Sequence, residues 1–256
     1  MLFSEKHAEF VGLHFGDGSL TRRPGKNTLR FQLRGDAKTD RAHYEQFIIP
    51  LCNELIGFPL LGRPLSTIHD KKLNSFGIAL ETDKIERFFT ELGVPIGIKE
   101  ELPIPNWILE NENYSKAFVR GLFDTDGTIS FKRNNTCPGR IPRVSYINIV
   151  SVSKTLIQDV SEILAKARVK HYVRKYSSKV GDKDSFKIEI YRPHTNEFMK
   201  KIGSHNPKHL SKFEIYCRFG FCPTHTTPQQ REDILKGILD PYTLVAGVAK
   251  RSNVPA

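Results

Sequence analysis

The sequence predicts an α+β protein that consists of two pseudo-symmetric αββαββα halves, each with a four-stranded antiparallel sheet. Two internal repeats indicate the duplication. Residues 7–21 and 116–131 share an apolar helix that ends in Asp-Gly and continues as a strand, at an interval of 109 positions. Residues 75–93 and 185–203 match at an interval of 110 positions. Because both repeats recur at nearly one interval, the second half repeats the plan of the first.

The composition indicates a globular protein with an anionic partner. Apolar residues make up 39% of the 256 positions, which is enough for a packed core. The net charge of +11 and the pI of about 9.5 favour nucleic acid, because its phosphates attract a basic surface. A basic protein without such a partner is the alternative.

Cysteine usage and hydropathy predict the compartment. The four cysteines show no paired spacing, which favours a reducing environment. No apolar run approaches the roughly 18–20 residues that a membrane span needs, and the first repeat begins too early to leave room for a signal peptide. We therefore expect an intracellular protein, in the cytoplasm or in an organelle that encodes it.

The first repeat continues into a predicted hairpin whose turn lies at residues 24–27. Its second arm alternates cleanly between two faces. Leu29, Phe31 and Leu33 form an apolar face, and the opposite face carries polar side chains at positions 30, 32 and 34. These donors have the reach for base edges and phosphates. A solvated outer face is the alternative.

The rest of the first half is predicted to contain a helix over residues 40–56, kinked at Pro50 and ended by Gly57. Residues 65–83 form a second predicted hairpin with a polar tip. Residues 84–92 form an amphipathic helix that Gly93 ends. The second half repeats this order, and its predicted strands and helix span residues 127–133, 140–151, 153–168, 172–177 and 184–191, with a further helix behind them.

Two boundaries divide the predicted architecture. Proline-rich residues 94–105 are expected to link the halves, and the repeat ends near residue 220. Beyond it, Thr227 begins a capping box that predicts a helix over residues 228–239. The expected parts are an N-terminal half (1–106), a C-terminal half (107–220) and a helical extension (221–256).

The two Asp-Gly helix ends are candidate metal-binding positions. Gly18 and Gly127 are expected to supply a left-handed or otherwise unusual backbone where the chain leaves each helix. Asp17 and Asp126 then place carboxylates at the C-terminal ends of helix dipoles, where anions are disfavoured. A bound divalent cation would offset this cost, and oxygen ligands suit magnesium.

Small residues at helical spacing predict that the two motif helices pack against each other. Gly12 and Gly16 are four residues apart on the first helix, and Gly121 and Thr125 hold the same positions on the second. Small side chains at this spacing let two backbones approach closely. The packing would bring the two Asp residues side by side below the join of two basic sheets.

The motif helices read Phe-Val-Gly-Leu-His-Phe-Gly-Asp-Gly at residues 10–18 and Val-Arg-Gly-Leu-Phe-Asp-Thr-Asp-Gly at residues 119–127. These stretches resemble the two signature motifs of the LAGLIDADG homing endonucleases, of the monomeric two-motif type. The resemblance implies a monomer whose sheets form a DNA-binding saddle. It also implies a role in intron mobility and a nuclease that cuts both strands of a long, asymmetric DNA target. Cleavage would occur across the minor groove and leave short 3′ overhangs.

The resemblance also implies roles for individual residues. Asp17 and Asp126, with the carbonyl groups of Gly16 and Thr125, would hold Mg²⁺ or another divalent cation such as Mn²⁺. A lysine near each scissile phosphate is expected, and the candidates Lys99 and Lys208 each lie 82 positions after a motif Asp. Ordinary surface lysines are the alternative for this pair, because the chain is rich in lysine.

Polar strand positions and hairpin tips supply the candidate DNA contacts. In the first half these are Arg22, Arg23, Lys26, Arg30, Gln32, Arg34, His69, Lys71 and Lys72. In the second half they are Ser130, Lys132, Arg133, Arg140, Arg143, Ser145, Arg174, Lys175 and Lys183.

Two other functions fit the same motifs. One is an RNA-binding maturase that assists intron splicing, and the other is a DNA-binding regulator without catalysis. The presence of both Asp residues argues against the regulator. Asp124 has no acidic counterpart, because Phe15 occupies the matching position, so the halves are not expected to be equivalent. The spacing of His205, His209, Cys217, Cys222 and His225 fits no ordinary zinc finger.

Overall fold

A computed structural model describes residues 2–97, 100–132, 141–177 and 184–245. In the first half the helices and strands follow the predicted order. They are α1 (Glu5–Asp17), β1 (Gly18–Arg22), β2 (Leu29–Asp36), α2 (Arg41–His43), α3 (Ile49–Cys52), β3 (Thr67–Asp70), β4 (Ser75–Thr82) and α4 (Glu86–Leu92). Two π-helical stretches, Tyr44–Ile48 and Asn53–Leu61, join α2 to α3 and extend α3.

The second half has the same order after one short additional helix. Its elements are α5 (Asn106–Leu109), α6 (Glu112–Asp126), β5 (Gly127–Lys132), β6 (Val144–Ser151), α7 (Lys154–Lys166), β7 (Tyr172–Tyr176), β8 (Ser185–Tyr191) and α8 (His194–Lys201). Helices α9 (Pro207–Phe219) and α10 (Pro228–Leu235) and a 3₁₀ turn (Pro241–Leu244) complete the described chain.

The two sheets have the same topology. Their strand orders are β1-β2-β4-β3 and β5-β6-β8-β7, and the neighbouring strands are antiparallel. Leu29, Phe31 and Leu33 are fully buried on one face of β2, as the alternation predicts. The α+β class and the duplicated αββαββα plan are confirmed.

Close packing of α1 on α6 joins the two halves. A Cβ added at Gly12 would lie 2.1 Å from the Phe118 carbonyl oxygen, and one at Gly121 would lie 2.3 Å from the Glu9 carbonyl oxygen. Any side chain at these two positions would therefore push the backbones apart. The predicted helix pairing is confirmed.

The glycines that follow the motif Asp residues have a different role from the predicted one. Gly18 (φ −82°, ψ 157°) and Gly127 (φ −87°, ψ 162°) are extended, so the expectation of a left-handed or unusual backbone was wrong. The first residue of β1 and that of β5 instead lie in close contact with the last turn of the preceding helix. A Cβ at Gly18 would lie 2.6 Å from the His14 carbonyl oxygen, and one at Gly127 would lie 2.4 Å from that of Phe123.

The helical segment after β2 is longer than predicted. It continues past Gly57 and ends at Gly62, which has a φ of 66°. Gly57 is instead a point of close approach, because a Cβ there would lie 2.8 Å from Asn53 Oδ1 and 3.0 Å from the Arg63 carbonyl oxygen. The predicted stop at Gly57 was wrong.

The connection between the halves packs against the second half. The backbone N–H of Leu102 donates to Ser153 Oγ at 3.0 Å, and that of Ile104 donates to Asp159 Oδ2 at 2.9 Å. The same Ser153 hydroxyl accepts from the Leu156 N–H and caps α7. Leu102 and Ile104 are each 2% exposed, so the connection contributes to the core.

The C-terminal helices pack on each other. The predicted capping box is present, with Thr227 and Gln230 bonded reciprocally. Helix α10 ends at Leu235 rather than at residue 239, because Gly237 turns the chain with a φ of 75°. Arg231 reaches back from α10 to Ser211 Oγ of α9 at 2.9 Å. Within the described ranges, no helix is long and apolar enough to cross a membrane.

Candidate active site and nucleic-acid interface

The two motif carboxylates lie at adjacent helix ends. Asp17 is the last residue of α1 and is half-buried, whereas Asp126 is the last residue of α6 and is exposed. A Cβ added at Gly16 would lie 2.0 Å from Thr125 Oγ1 and 3.3 Å from the carboxyl carbon of Asp126. A glycine is therefore needed where the two helix ends meet, and the predicted proximity of the ends is found.

A buried tyrosine orients the first carboxylate. Tyr44, which is 1% exposed, donates its hydroxyl proton to Asp17 Oδ2 at 3.1 Å. Burial and the neighbouring Asp17 carboxylate both raise the pKa of Tyr44, so it remains a proton donor. Asp126 borders an open cleft of about 320 Å³, which leaves space for a phosphate group beside it.

The donor set at the helix ends fits a hard divalent cation. Two carboxylates and two peptide carbonyl groups offer only oxygen atoms, which is the ligand type that Mg²⁺ and Mn²⁺ prefer. The Thr125 hydroxyl is engaged with the carbonyl oxygens of Gly121 and Leu122, both at 3.1 Å. Thr125 would therefore contribute its carbonyl group rather than its side chain.

Lys208 reaches the first motif from the second half. Its Nζ lies 2.9 Å from Asp40 Oδ1. Asp40 and Asp17 both border Gly35, because a Cβ there would lie 3.2 Å from Asp40 Cβ and 3.4 Å from Asp17 Oδ2. Lys208 is thus near the Asp17 side of the site. The other lysine candidate, Lys99, lies outside the described residues.

The polar face of the first sheet is a row of cations. Arg30, Gln32 and Arg34 point away from the core on β2. With its amide oxygen turned toward the guanidinium groups, Gln32 accepts from Arg30 Nε at 3.1 Å and from Arg34 at 2.7 Å. The amide NH₂ group then faces outward as a donor. The other candidates here are exposed, namely Arg22, Arg23, Lys26, His69, Lys71 and Lys72.

On the second sheet, two of the candidate contacts are on the wrong face. Ser145 is fully buried and shares a hydrogen bond of 2.6 Å with Thr195 Oγ1. Lys175 is paired across β7 and β8 with Phe186, on the side covered by α7, and its Nζ lies 2.6 Å from Asp184. Because side chains alternate along a strand, the outward positions are 144, 146 and 148 on β6 and 172, 174 and 176 on β7.

The remaining candidates of the second half are placed as predicted or lie outside the described residues. Ser130 and Lys132 occupy the polar face of β5, and Arg174 occupies that of β7. Arg143 is exposed just before β6. Three other candidates, Arg133, Arg140 and Lys183, fall in the ranges that the structure does not describe.

Comparison with known proteins agrees with this architecture. Residues 113–203 match the family model described as the LAGLIDADG-like domain. The match covers α6 to α8, and the repeated topology gives the first half the same plan. The predicted resemblance is confirmed. A comparison with curated proteins found no match.

Solved structures share the LAGLIDADG fold at low sequence identity. A structure of I-DmoI in complex with DNA and Mn has a TM-score of 0.56 at 17% identity, covering 78% of this chain and 96% of that one. The I-LtrWI LAGLIDADG homing endonuclease bound to target DNA has a TM-score of 0.56 at 12% identity, covering 85% and 90%. Meganuclease I-SmaMI, bound to uncleavable DNA, has a TM-score of 0.56 at 11% identity, covering 91% and 96%.

A buried acid lies at the centre of the outward face of the second sheet, and the sequence did not predict it. Glu189 is 4% exposed and accepts hydrogen bonds from three tyrosines and from Arg174. Burial by itself would raise its pKa, but these donors outweigh burial and lower the pKa to about 2. Alternation along β7 and β8 would have placed Glu189, Tyr191, Arg174 and Tyr176 on one face.

A second buried cluster connects the two motif helices to the loop before α9. Asp124, 3% exposed, accepts from the Ser204 hydroxyl and from the His205 N–H at 2.7 Å. Burial tends to raise the pKa of Asp124, but hydrogen bonding and charge from its histidine and serine neighbours produce a net lowering. Because the matching Phe15 is apolar and packs on Phe118, the two halves are not equivalent, as predicted.

This cluster also contains a geometric candidate for metal binding. Ligand atoms of Glu9, Asp124 and His205 lie within 4.8 Å of one another. Both Glu9 oxygens already accept from Arg120, at 3.0 and 2.7 Å, and His205 Nδ1 lies 2.6 Å from one of them. The fixed guanidinium charge disfavours a cation here, so the cluster is structural. The group includes neither Cys217 nor Cys222, so no zinc site of the cysteines is found in the described ranges.

Proposed function

We propose that this chain is a divalent-metal-dependent, site-specific DNA endonuclease that cuts both strands of a duplex. The observation that carries the proposal is the packing of the ends of α1 and α6, whose last residues are Asp17 and Asp126. A net charge of +11 and a cationic sheet face add an electrostatic reason for DNA binding. Structures of I-DmoI with DNA and Mn and of I-LtrWI with target DNA support the same activity for this fold.

The proposed roles follow from position. Asp17 and Asp126, with the carbonyl groups of Gly16 and Thr125, would hold Mg²⁺ or Mn²⁺ between the protein and the scissile phosphates. A cation there would activate water and stabilise the leaving oxygen. Tyr44 orients the Asp17 carboxylate through its hydroxyl hydrogen bond. Lys208, with Lys99 as its proposed counterpart, would add positive charge beside the phosphate.

One carboxylate from each half matches the two strands of a duplex. Two adjacent carboxylates could serve phosphates of opposite strands that face each other across the narrow minor groove, and cleavage there would leave short 3′ overhangs in the proposed reaction. The exposed cations of both hairpin systems would hold the DNA backbone. A single chain with two unequal halves needs no second copy, so the proposed enzyme is a monomer that acts on an asymmetric target.

Substitution of the motif acids tests the proposal. Asp17→Asn and Asp126→Asn keep the side-chain shape and remove the charge, so each should lower double-strand cleavage on the order of 10²–10³-fold, the usual effect of removing one electrostatic group at a reacting centre. DNA binding should change little. The matched control is Asp83→Asn, an exposed loop acid between β4 and α4. Cleavage should be measured on a randomised duplex library with Mg²⁺.

Two outcomes would contradict this function. If both motif variants cut as fast as the parent protein, the Asp pair is not the reacting centre. If the parent binds structured intron RNA and leaves every duplex intact, the maturase is favoured. Binding to a selected duplex without nicking would favour the inactive regulator.

A further inference from the structure

The outward face of the second sheet has an acid at its centre and cations around it. Lys132, Arg174 and Lys187 share this face with Glu189. A carboxylate on a DNA-facing surface repels phosphate, so its presence needs a compensating role. The equivalent position of the first sheet is Ala79, which is paired with Gln32 as Glu189 is paired with Asn148.

Every lone-pair direction of the Glu189 carboxylate is occupied. Oε1 accepts from the hydroxyl groups of Tyr146 at 2.8 Å and Tyr176 at 2.9 Å. Oε2 accepts from the Tyr191 hydroxyl at 2.9 Å and from Arg174 Nε at 2.8 Å. A carboxylate has about four such directions, so Glu189 itself has no capacity left for a base.

The tyrosines consequently face outward as acceptors. A phenol has one proton, and each of the three donates that proton to Glu189. Tyr146 is 3% exposed and forms the floor of the cluster, whereas Tyr176 is 43% exposed. Lys132 Nζ lies 3.8 Å from the centre of the Tyr146 ring, and Lys187 Nζ lies 4.9 Å from the centre of the Tyr176 ring. These cation–π contacts help to hold the two rings in place.

We propose that Glu189 is a positioning residue for DNA sequence recognition, which holds Tyr176 and Tyr191 as hydrogen-bond acceptors and Arg174 as a donor toward the major groove. The acceptors select base pairs that present an amino group, adenine N6 or cytosine N4, and the guanidinium selects guanine. On β2 the first sheet presents Arg30, Arg34 and the outward NH₂ group of Gln32, which are donors, and the Glu81 carboxylate on the same face is paired with Arg23 and Lys26. The second sheet would therefore offer acceptors as well as donors to its half-site, whereas β2 of the first sheet would offer donors. This inference rests on the proposed DNA-binding function.

Glu189→Gln tests the inference, because a carboxamide replaces one acceptor atom with a donor. At least one phenol must then turn its proton outward and become a donor toward DNA. Binding to a randomised duplex library should be measured with Ca²⁺ in place of Mg²⁺. We expect the preference at one or two positions of a single half-site to shift from adenine or cytosine toward guanine or thymine, roughly 5–10-fold. The other half-site should be unchanged.

Two further variants keep the test decisive. Glu81→Gln removes the same charge from the first sheet, where Glu81 binds Arg23 at 3.2 Å, and should leave the preference of that half-site unshifted. Tyr176→Phe deletes one exposed acceptor and should relax the preference at one position, even if Glu189→Gln fails to fold. A uniform loss of affinity with no positional shift in Glu189→Gln and an unchanged preference in Tyr176→Phe would overturn the inference. A parent protein that selects no duplex would instead overturn the proposed function, and this inference with it.

Discussion

The two motif acids, Asp17 and Asp126, are more accessible to solvent than the acids Asp124 and Glu189. Asp126 is exposed, and Asp17 is half-buried and accepts a hydrogen bond from the Tyr44 hydroxyl. Asp124 and Glu189 are almost fully buried, and neighbouring donors hold each of them. A carboxylate surrounded by donors is stable but closed to a ligand. Accessibility thus separates the proposed reactive acids from the structural ones.

His43 should make the protein sensitive to mild acid. It is 1% exposed, stacks on Phe47, and its Nε2 lies 3.8 Å from Asp124 Oδ2. Burial lowers its pKa from 6.5 to about 4, and the Asp124 charge offsets this only in part. The unfolded state therefore binds more protons between these values, so stability should fall as the pH drops from 6.5 to 4, by up to about 3 kcal/mol.

Urea unfolding of His43→Phe at pH 7 and pH 4.5 checks this expectation. The variant should lose less stability between the two pH values than the parent protein does. His209, whose pKa burial also lowers, retains part of the effect. The Asp124 carboxyl contributes in a separate window below its ordinary pKa of 3.8. An equal loss in both proteins would show that His43 is already protonated in the folded state.

At the scale of elements, the sequence predicted what local periodicity determines. The motif helices, β2 with its buried Leu29, and the capping box at Thr227 depend on residues that are close in sequence. The faces of β6 and β7 were misjudged because β6 has a serine on its core face at position 145 and a tyrosine on its outer face at position 146. Only the hydrogen bonds of Ser145 with Thr195 on α8 and of Tyr146 with Glu189 on β8 explain that arrangement, and these partners are more than 40 positions away.

Other differences have the same physical origin. Helix α9 was not predicted, because its position depends on contacts of His209 and Asn206 with α6 rather than on an evident stripe of apolar residues. The sequence predicted that Gly57 and Gly18 end helices, but the structure needs glycine there because neighbouring backbone atoms lie too close for a Cβ. The Asp pair was predictable because duplication displays it twice, whereas the Glu189 cluster occurs in one half only.

The contact between α1 and α6 can be tested at Gly16, where the clash would be with a side chain that can itself be replaced. Gly16→Ala would place a Cβ 2.0 Å from Thr125 Oγ1 and 2.7 Å from Thr125 Cβ, so we expect a loss of about 1–3 kcal/mol from overpacking. Thr125→Gly removes both clashing atoms. The free energy of unfolding that the double variant loses should therefore be smaller than the sum of the losses in the two single variants. Urea unfolding of the parent protein and the three variants measures these losses. Strict additivity would mean that the helix ends do not touch.

At the scale of the whole molecule, the two halves share one fold but differ in the polar contacts that hold them together. The glycine faces of α1 and α6 are related by the duplication, but the Glu9–Arg120 ion pair and the bonds of Asp124 exist once. The sheets differ in the same way, with arginines on the first and a tyrosine–glutamate cluster on the second. In the proposed function, the duplicated scaffold would provide the paired reacting centre, and divergence of its surfaces would provide recognition of an asymmetric sequence.

The net charge of +11 favours phosphate contacts in the proposed DNA complex, whose affinity should therefore depend on salt. Each phosphate contact releases condensed counterions, so with about 6–10 contacts the affinity should fall roughly 10³–10⁵-fold between 50 and 200 mM salt. Lys71→Ala, at the exposed tip of the β3–β4 hairpin, should reduce the slope of log K against log salt by about 1. Lys166→Ala is the control, because Lys166 lies on α7, behind the second sheet. Equal slopes in the parent protein and both variants would place the β3–β4 tip away from the DNA.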